Sequence, residues 1–120
     1  SNLKSNYTNV RIWNESKQQF EDSGLQFCGL LMGDHSKSGI NTMFNTGTVV
    51  GVSANVYGAG FPRNFIASFS WGGPQGTMEY KIDKALDTAH RMMERRGLGV
   101  DEVEREILQA VYDQTAEFRR

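Results

Sequence analysis

The sequence predicts a mainly β protein, a left-handed parallel β-helix of hexapeptide repeats followed by a C-terminal helical hairpin. Three observations indicate this fold class. A six-residue period runs through residues 32–57, a segment rich in aromatic residues and glycine follows at 61–78, and residues 79–119 carry two apolar stripes at helical spacing. We therefore expect a partial β-helix over residues 1–78 and a helical hairpin over residues 79–120.

The composition is that of one globular domain, or of a piece of one, with 120 residues and a net charge of −1. Such a small charge disfavours nucleic acid and membrane as partners, and no apolar run approaches the ~18 residues of a membrane helix. The single cysteine, Cys28, excludes an internal disulfide and a cysteine zinc site. We expect no metal or cofactor in this chain and a cytoplasmic location.

Two short apolar runs near the start of the chain predict a hairpin-like arm at about residues 9–27. The first run covers residues 10–13 and the second residues 25–27, and both have the composition of strands. The segment between them is polar and turn-like, which is typical of a hairpin connection.

The six-residue period appears when the sequence is aligned in sixes from Met32. Glycine fills most second positions, and small residues fill the fifth. A period of six fits neither a helix nor simple strand alternation, and it is typical of β-helix coils in which each six residues make a short strand and a corner. The side chains expected to point inward are the first-position residues Met32, Ser38, Phe44, Val50 and Val56 and the fifth-position residues Ser36, Thr42, Thr48 and Ala54.

Residues 61–78 are predicted to form an aromatic loop, because two prolines and two adjacent glycines interrupt any long regular element. Four aromatic side chains in it are expected to pack across the end or side of the repeats, since an exposed patch of that size would aggregate or bind a partner. These are Phe61, Phe65, Phe69 and Trp71.

The last part of the chain predicts two helices. Gly97 ends the first, and Asp101 with Glu104 resembles a capping box at the start of the second. The basic pairs 95–96 and 119–120 are interpreted as solvated helix faces. The predicted buried stripes are Ile82, Leu86, Ala89 and Met93 in the first helix, and Val103, Ile107, Ala110, Val111 and Phe118 in the second.

Three stretches, SNLKSNYTNVRIW, GDHSKSGINTMFNTGTVVGVSAN and NFIASFSWGG, carry a resemblance that covers essentially the whole chain. The chain resembles the C-terminal part of sugar nucleotidyltransferases similar to the bifunctional N-acetylglucosamine-1-phosphate uridyltransferase/glucosamine-1-phosphate acetyltransferase. The resemblance implies a transferase parent whose N-terminal nucleotidyltransferase domain, with its Mg²⁺ site, is not in these residues. It also implies a β-helix that forms a homotrimer, with a sugar phosphate or acetyl-CoA as ligands.

The resemblance places an acyltransferase-like site near the start of the chain. Asn2 matches an asparagine of the acceptor and acyl-CoA site, but Leu3 stands where the family has tyrosine. The histidine base of the family would precede Ser1. The chain alone is therefore expected to be inactive as a nucleotidyltransferase, and the alternative is a non-catalytic trimerisation or binding module of such an enzyme. A third alternative, a carbohydrate-binding β protein, depends only on the aromatic residues of 61–71.

Three side chains are candidate ligand contacts from their chemistry. His35 lies beside Asp34, but adjacent residues on an extended chain point apart, so a structural, interface or ligand role is favoured over catalysis. Lys37 and Arg63 are the candidates for anion binding, such as a phosphate or the pyrophosphate of coenzyme A. The alternative for both is a solvated surface cation.

Overall fold

The computed structural model describes Lys4 and residues 6–119. Within these residues the strands are β1 (Arg11–Asn14), β2 (Gln19–Asp22), β3 (Leu31–Met32), β4 (Lys37–Ser38), β5 (Val49–Val50), β6 (Asn55–Val56), β7 (Phe65–Ile66), β8 (Ser70–Gly73) and β9 (Gly76–Glu79). Two helices follow, α1 (Ile82–Glu94) and α2 (Glu102–Gln114), and then a 3₁₀ turn, Ala116–Arg119.

The strands form three separate sheets. β1 and β2 make an antiparallel pair, and β3, β5 and β7 make a parallel sheet in that order. The third sheet has the order β4-β6-β8-β9, in which β8 and β9 are antiparallel and the other pairs are parallel. The protein is therefore a small α/β protein with mixed sheets of short strands.

The predicted left-handed parallel β-helix is wrong. Hexapeptide coils need strands on three faces. The segment between β4 and β5 has only a one-residue bridge at Asn45, no strand forms between β6 and β7, and no sheet of the described residues closes or continues as a solenoid. Gly58 and Gly60 take positive φ (116° and 98°), and Pro62 has no amide donor, so the six-residue spacing breaks before β7. β9 then folds back onto β8 instead of starting another coil.

The arm is a hairpin, but its second strand is not the predicted one. β1 pairs with β2 from Arg11 opposite Asp22 to Asn14 opposite Gln19, whereas residues 25–27 form no strand. Ser23 and Gly24 end the hairpin: the Ser23 hydroxyl donates to the Val10 carbonyl at 2.6 Å, and Gly24 takes a φ of 75°.

Two apolar clusters form the core. One packs between the short parallel strands, and the other joins β8 to the helices through Phe69, Ala85 and Leu108. Met32 and Ser38, which the six-residue pattern places inside, are exposed. The first cluster consists of Phe44, Val50, Ala54, Val56 and Ile66.

The two C-terminal helices are present, with the expected ends. Gly97 takes a φ of 71°, and Asp101 Oδ1 accepts a 2.8 Å hydrogen bond from the Glu104 amide. The predicted stripe of α2 is right at Val111 but wrong at Val103 and Ile107, which are exposed. The packed side consists of Leu108, Val111 and Tyr112, which meet Phe69 in the second cluster.

The segment predicted as an aromatic loop contains β7, β8 and the start of β9, joined by tight turns. Phe69 is fully buried, but Phe61 is exposed. Among the helices of the described residues, none combines the length and the apolarity that crossing a bilayer requires.

Candidate functional site

A cavity of about 350 Å³ lies where the β-strands meet the C-terminal 3₁₀ turn. Its walls come from three segments: residues 62–67, the β8–β9 hairpin with its turn, and Phe118–Arg119. The volume is at the lower end of the range for small-molecule pockets. Two of the three segments are more than forty residues apart in the sequence, so only the folded chain creates this space.

The β8–β9 turn forms a fixed wall of the cavity. Gly72 and Gly76 take φ values of 142° and 131°, which other residues rarely adopt. A Cβ atom on Gly73 would overlap the Tyr57 carbonyl oxygen, so this strand approaches β6 more closely than any side chain would permit. The Gln75 amide also donates a 3.2 Å hydrogen bond to the Ala59 carbonyl.

Another wall is aromatic. The Phe65 ring stacks on Trp13 with centroids 4.7 Å apart and an interplanar angle of 17°. Phe118 meets Phe65 edge-on at 6.0 Å and Trp13 edge-on at 6.3 Å. The three rings hold one another in place, and two of them, Phe65 and Phe118, line the cavity.

Arg119 is a structural residue of this site, although the sequence predicts it to be solvated. Its side chain is only 3% exposed. The guanidinium donates to the Ser68 and Tyr112 carbonyls and to the Thr115 hydroxyl, and it pairs with Glu79 at 3.2 Å. It also lies 4.3 Å from the centroid of the Tyr112 ring. These contacts join the end of the chain to the β-strands.

Glu79 supports this network, although it does not line the cavity. The Tyr112 hydroxyl donates a 2.7 Å hydrogen bond to Glu79, and Arg119 lies beside it; both lower the pKa of the Glu79 carboxyl from its usual 4.5, with the Tyr112 bond the larger cause. The same hydrogen bond raises the pKa of Tyr112. Glu79 is therefore charged at neutral pH and offsets the charge of Arg119.

Arg63 has a different environment. It is exposed at the cavity, and within residues 4 and 6–119 its guanidinium has no hydrogen bond or ion pair. Arg63 and Arg119 are the charged residues that line this cavity in the described part of the chain, and no carboxylate lines it. Since Glu79 offsets the charge of Arg119, the positive charge of Arg63 is the one left for an incoming anion.

His35 lies outside this cavity and pairs with a distant residue. It takes a φ of 60°, and its Nε2 lies 2.9 Å from Glu104 Oε1 at the start of α2. The His35 side chain is 10% exposed and that of Glu104 32%. His35 Nδ1 is buried, and the described residues offer it no hydrogen-bond partner. This pair connects the β3–β4 turn to α2.

The remaining candidates are also separated from Arg63. Lys37 donates a 3.2 Å hydrogen bond from its ammonium group to the His35 carbonyl, so it belongs with His35. Neither residue lines the cavity around Arg63. Asn2, the candidate from the resemblance, lies outside the described residues.

Two wall residues, Phe118 and Arg119, were missed as site residues by the sequence reasoning. The sequence pattern places Phe118 in the apolar stripe of a helix and Arg119 in a solvated basic pair. The available signal was the position of a charged residue directly after an apolar one at the end of an amphipathic helix. That pattern is common on solvated helices, and it does not identify a cavity.

The described residues contain no cluster of three or more histidine, cysteine, aspartate or glutamate side chains that could hold a metal ion. The chain matches no protein-family model, and no curated protein or solved structure matches it either. The resemblance to sugar nucleotidyltransferases therefore stays a prediction from sequence.

Proposed function

We propose that the chain is a non-catalytic binding module that holds a small anion in the cavity beside Arg63. The observation that carries this proposal concerns residues 4 and 6–119: among them Arg63 has no hydrogen-bond or ion-pair partner, and no carboxylate lines the cavity beside it. A guanidinium group binds phosphate or carboxylate through paired N–H donors. The net charge of the whole chain is −1, so the attraction would be local to this site.

The surroundings of Arg63 support binding rather than chemistry. Catalysis by a general base needs the base, an orienting acceptor and a reacting group within hydrogen-bond reach. The described histidine–carboxylate pairs are His35 with Glu104 and His90 with Glu94, and none of these four residues lines the cavity. A bound anion would therefore be held and not transformed by the residues around it.

Calorimetric titration tests the proposal with inorganic phosphate and, in a separate series, acetate as probes. We expect saturable binding of at least one of the two anions at millimolar concentration. Arg63→Ala should weaken it about tenfold or more, because a charge-assisted hydrogen bond is lost. Arg63→Lys keeps the charge but loses the paired N–H donors of the guanidinium group, and an intermediate affinity is expected.

Arg91→Ala is the matched control. Arg91 is an exposed arginine on α1 that pairs with Asp87 and lies outside the cavity. Its removal changes the net charge by the same amount as Arg63→Ala, and it should leave anion binding unchanged. Equal affinities for the wild type and Arg63→Ala, or no saturable binding of either anion, would refute the proposal.

We also propose that this module belongs to a larger protein. The resemblance supports a sugar-nucleotide transferase parent, with a sugar phosphate as one anion of suitable chemistry. The transferase activity would then lie in residues outside this chain. A cytoplasmic location fits the single free cysteine, Cys28.

Assembly with other copies of the chain is a second candidate function, favoured by the position of β3 at the edge of its sheet among the described residues; the number of copies, three, comes from the resemblance. Leu31 and Met32 are exposed on this edge strand, and Ile40 in the turn after β4 is 96% exposed. Apolar side chains beside an open strand edge favour pairing with another copy of the chain. Light scattering during size exclusion tests this: Ile40→Ser should shift the protein toward monomer, whereas a wild type that is monomeric at high concentration would exclude it.

A further inference from the structure

The cavity is larger than an isolated anionic group needs. Its volume of about 350 Å³ is roughly ten times the share of one water molecule in the liquid. Arg63 can bind only the charged end of a ligand, so the remaining space has to be filled by another part of the same molecule or by water. The aromatic and polar side chains of the other walls indicate which chemical group of the ligand fills this space.

The aromatic wall is built to receive a ring. Phe65 is fixed from behind by its stacking on Trp13, and Phe118 packs edge-on against both rings. Both phenylalanine side chains are half-buried and line the cavity together with Arg63. A ring that lies against such a wall gains apolar burial and ring–ring contact without further ordering of the protein.

Polar groups beside the aromatic wall limit further which ligands fit the cavity. Thr77 and Gln75 line the same cavity, and Gln75 uses one amide hydrogen on the Ala59 carbonyl. The Thr77 hydroxyl and the Gln75 amide oxygen have no hydrogen bond within the described residues. The Thr77 hydroxyl can donate to a ring oxygen or a hydroxyl group of a bound molecule, and the Gln75 amide oxygen can accept from a hydroxyl group.

We infer that the ligand is a ring-bearing phosphate monoester, with its phosphate at Arg63 and its ring against Phe65 and Phe118. This inference rests on the proposed function, because it requires that Arg63 binds an anion. It adds the class of ligand: the ring supplies affinity and selectivity, and a phosphate without a ring binds more weakly. An aromatic ring can pack on this wall through its flat face, and a sugar ring can pack on it through the C–H groups of one face.

Fluorescence of Trp13 provides the test. The chain has two tryptophans, so Trp71→Phe leaves Trp13 as the single reporter, in direct contact with Phe65 and Phe118. The probes are phenyl phosphate, glucose 6-phosphate, glycerol phosphate and inorganic phosphate. At least one ring phosphate should bind about tenfold more tightly than glycerol phosphate, because ring contact and apolar burial are added.

Phe118→Leu separates the two inferences. It keeps most of the apolar volume and removes the ring, so it should lower the affinity for the ring phosphate more than the affinity for inorganic phosphate. Arg63→Ala should weaken all four probes. Thermal unfolding of Phe118→Leu shows whether the wall itself survives, and Phe65→Leu provides a second variant of the same design.

The possible outcomes are distinct. If inorganic phosphate binds through Arg63 but neither ring phosphate binds more tightly than glycerol phosphate, the ligand class is wrong and the proposed function stands. If none of the four probes binds, the ligand class is wrong, and the proposed function is wrong as well unless acetate binds through Arg63. A preference for phenyl phosphate or for glucose 6-phosphate supports the inference and identifies the kind of ring.

Discussion

Arg63 and His35 differ in whether the fold gives their side chains hydrogen-bond or ion-pair partners. His35 and Lys37 are close together, but each contacts another part of the chain: His35 pairs with Glu104, and Lys37 donates to the His35 carbonyl. Arg63 lies in a cavity and has no such partner among the described residues. A charged residue is therefore a candidate for ligand binding when the fold gives it no internal partner, and residue type alone does not show this.

The largest expected effect is at Arg119, the buried arginine of the Arg63 site. Arg119→Ala should lower the free energy of unfolding by about 3 kcal/mol, because several buried acceptors lose a charged donor at once. Chemical denaturation measures the change. Arg63→Ala, the other cavity arginine, should stay within about 0.5 kcal/mol of the wild type. Similar losses for both variants would show that the two arginines do not have separate roles.

A smaller effect is expected at the His35 pair. His35→Asn suits the positive φ at this position and removes the imidazole, and Glu104→Gln removes the charge. Each should cost about 1 kcal/mol, since Glu104 is partly exposed, and the double variant should cost less than the sum. Neither should change phosphate binding at Arg63. Additive losses would mean that the 2.9 Å contact contributes no stability.

The smallest effect concerns acid sensitivity at Glu79. Because Tyr112 and Arg119 lower its pKa below 4.5 in the folded state, Glu79 contributes stability that is present above this value and is lost as the pH falls through the folded pKa. Glu79→Gln should therefore flatten the fall in unfolding free energy below about pH 4.5. Glu106→Gln, an exposed carboxylate on α2, is the control. The same acid slope in Glu79→Gln and the wild type would contradict the network.

Local features of the fold could be predicted from the sequence. The caps of the helices follow from Gly97 and Asp101, whose chemistry acts within one turn. The hexads also place short strands six residues apart: Leu31 pairs with Val49 three hexads later, and Lys37 pairs with Asn55 in the same way. Val49 then pairs with Phe65. Three further hexads would end at residue 67, two positions later, so the regular pattern stops before β7.

The architecture and the site could not be predicted in this way. The β-helix expectation assumes that the period continues on three faces, and the glycines before Pro62 end it. Val103 and Ile107 have helical spacing, but Phe69 packs against the neighbouring side of α2, so these two residues stay exposed. The charge of Arg63 makes it a candidate from sequence, whereas the cavity around it depends on Phe118 and Arg119, more than fifty residues away.

We propose that the anion binds at Arg63 and not at His35 and Lys37. Amide NMR shifts during a titration with inorganic phosphate test it most directly, because they report on both regions in one experiment. We predict saturable shifts at residues 62–67 and 73–77 that disappear in Arg63→Ala and persist in Arg91→Ala. Shifts concentrated at residues 33–38, or shifts at residues 62–67 that persist in Arg63→Ala, would contradict it.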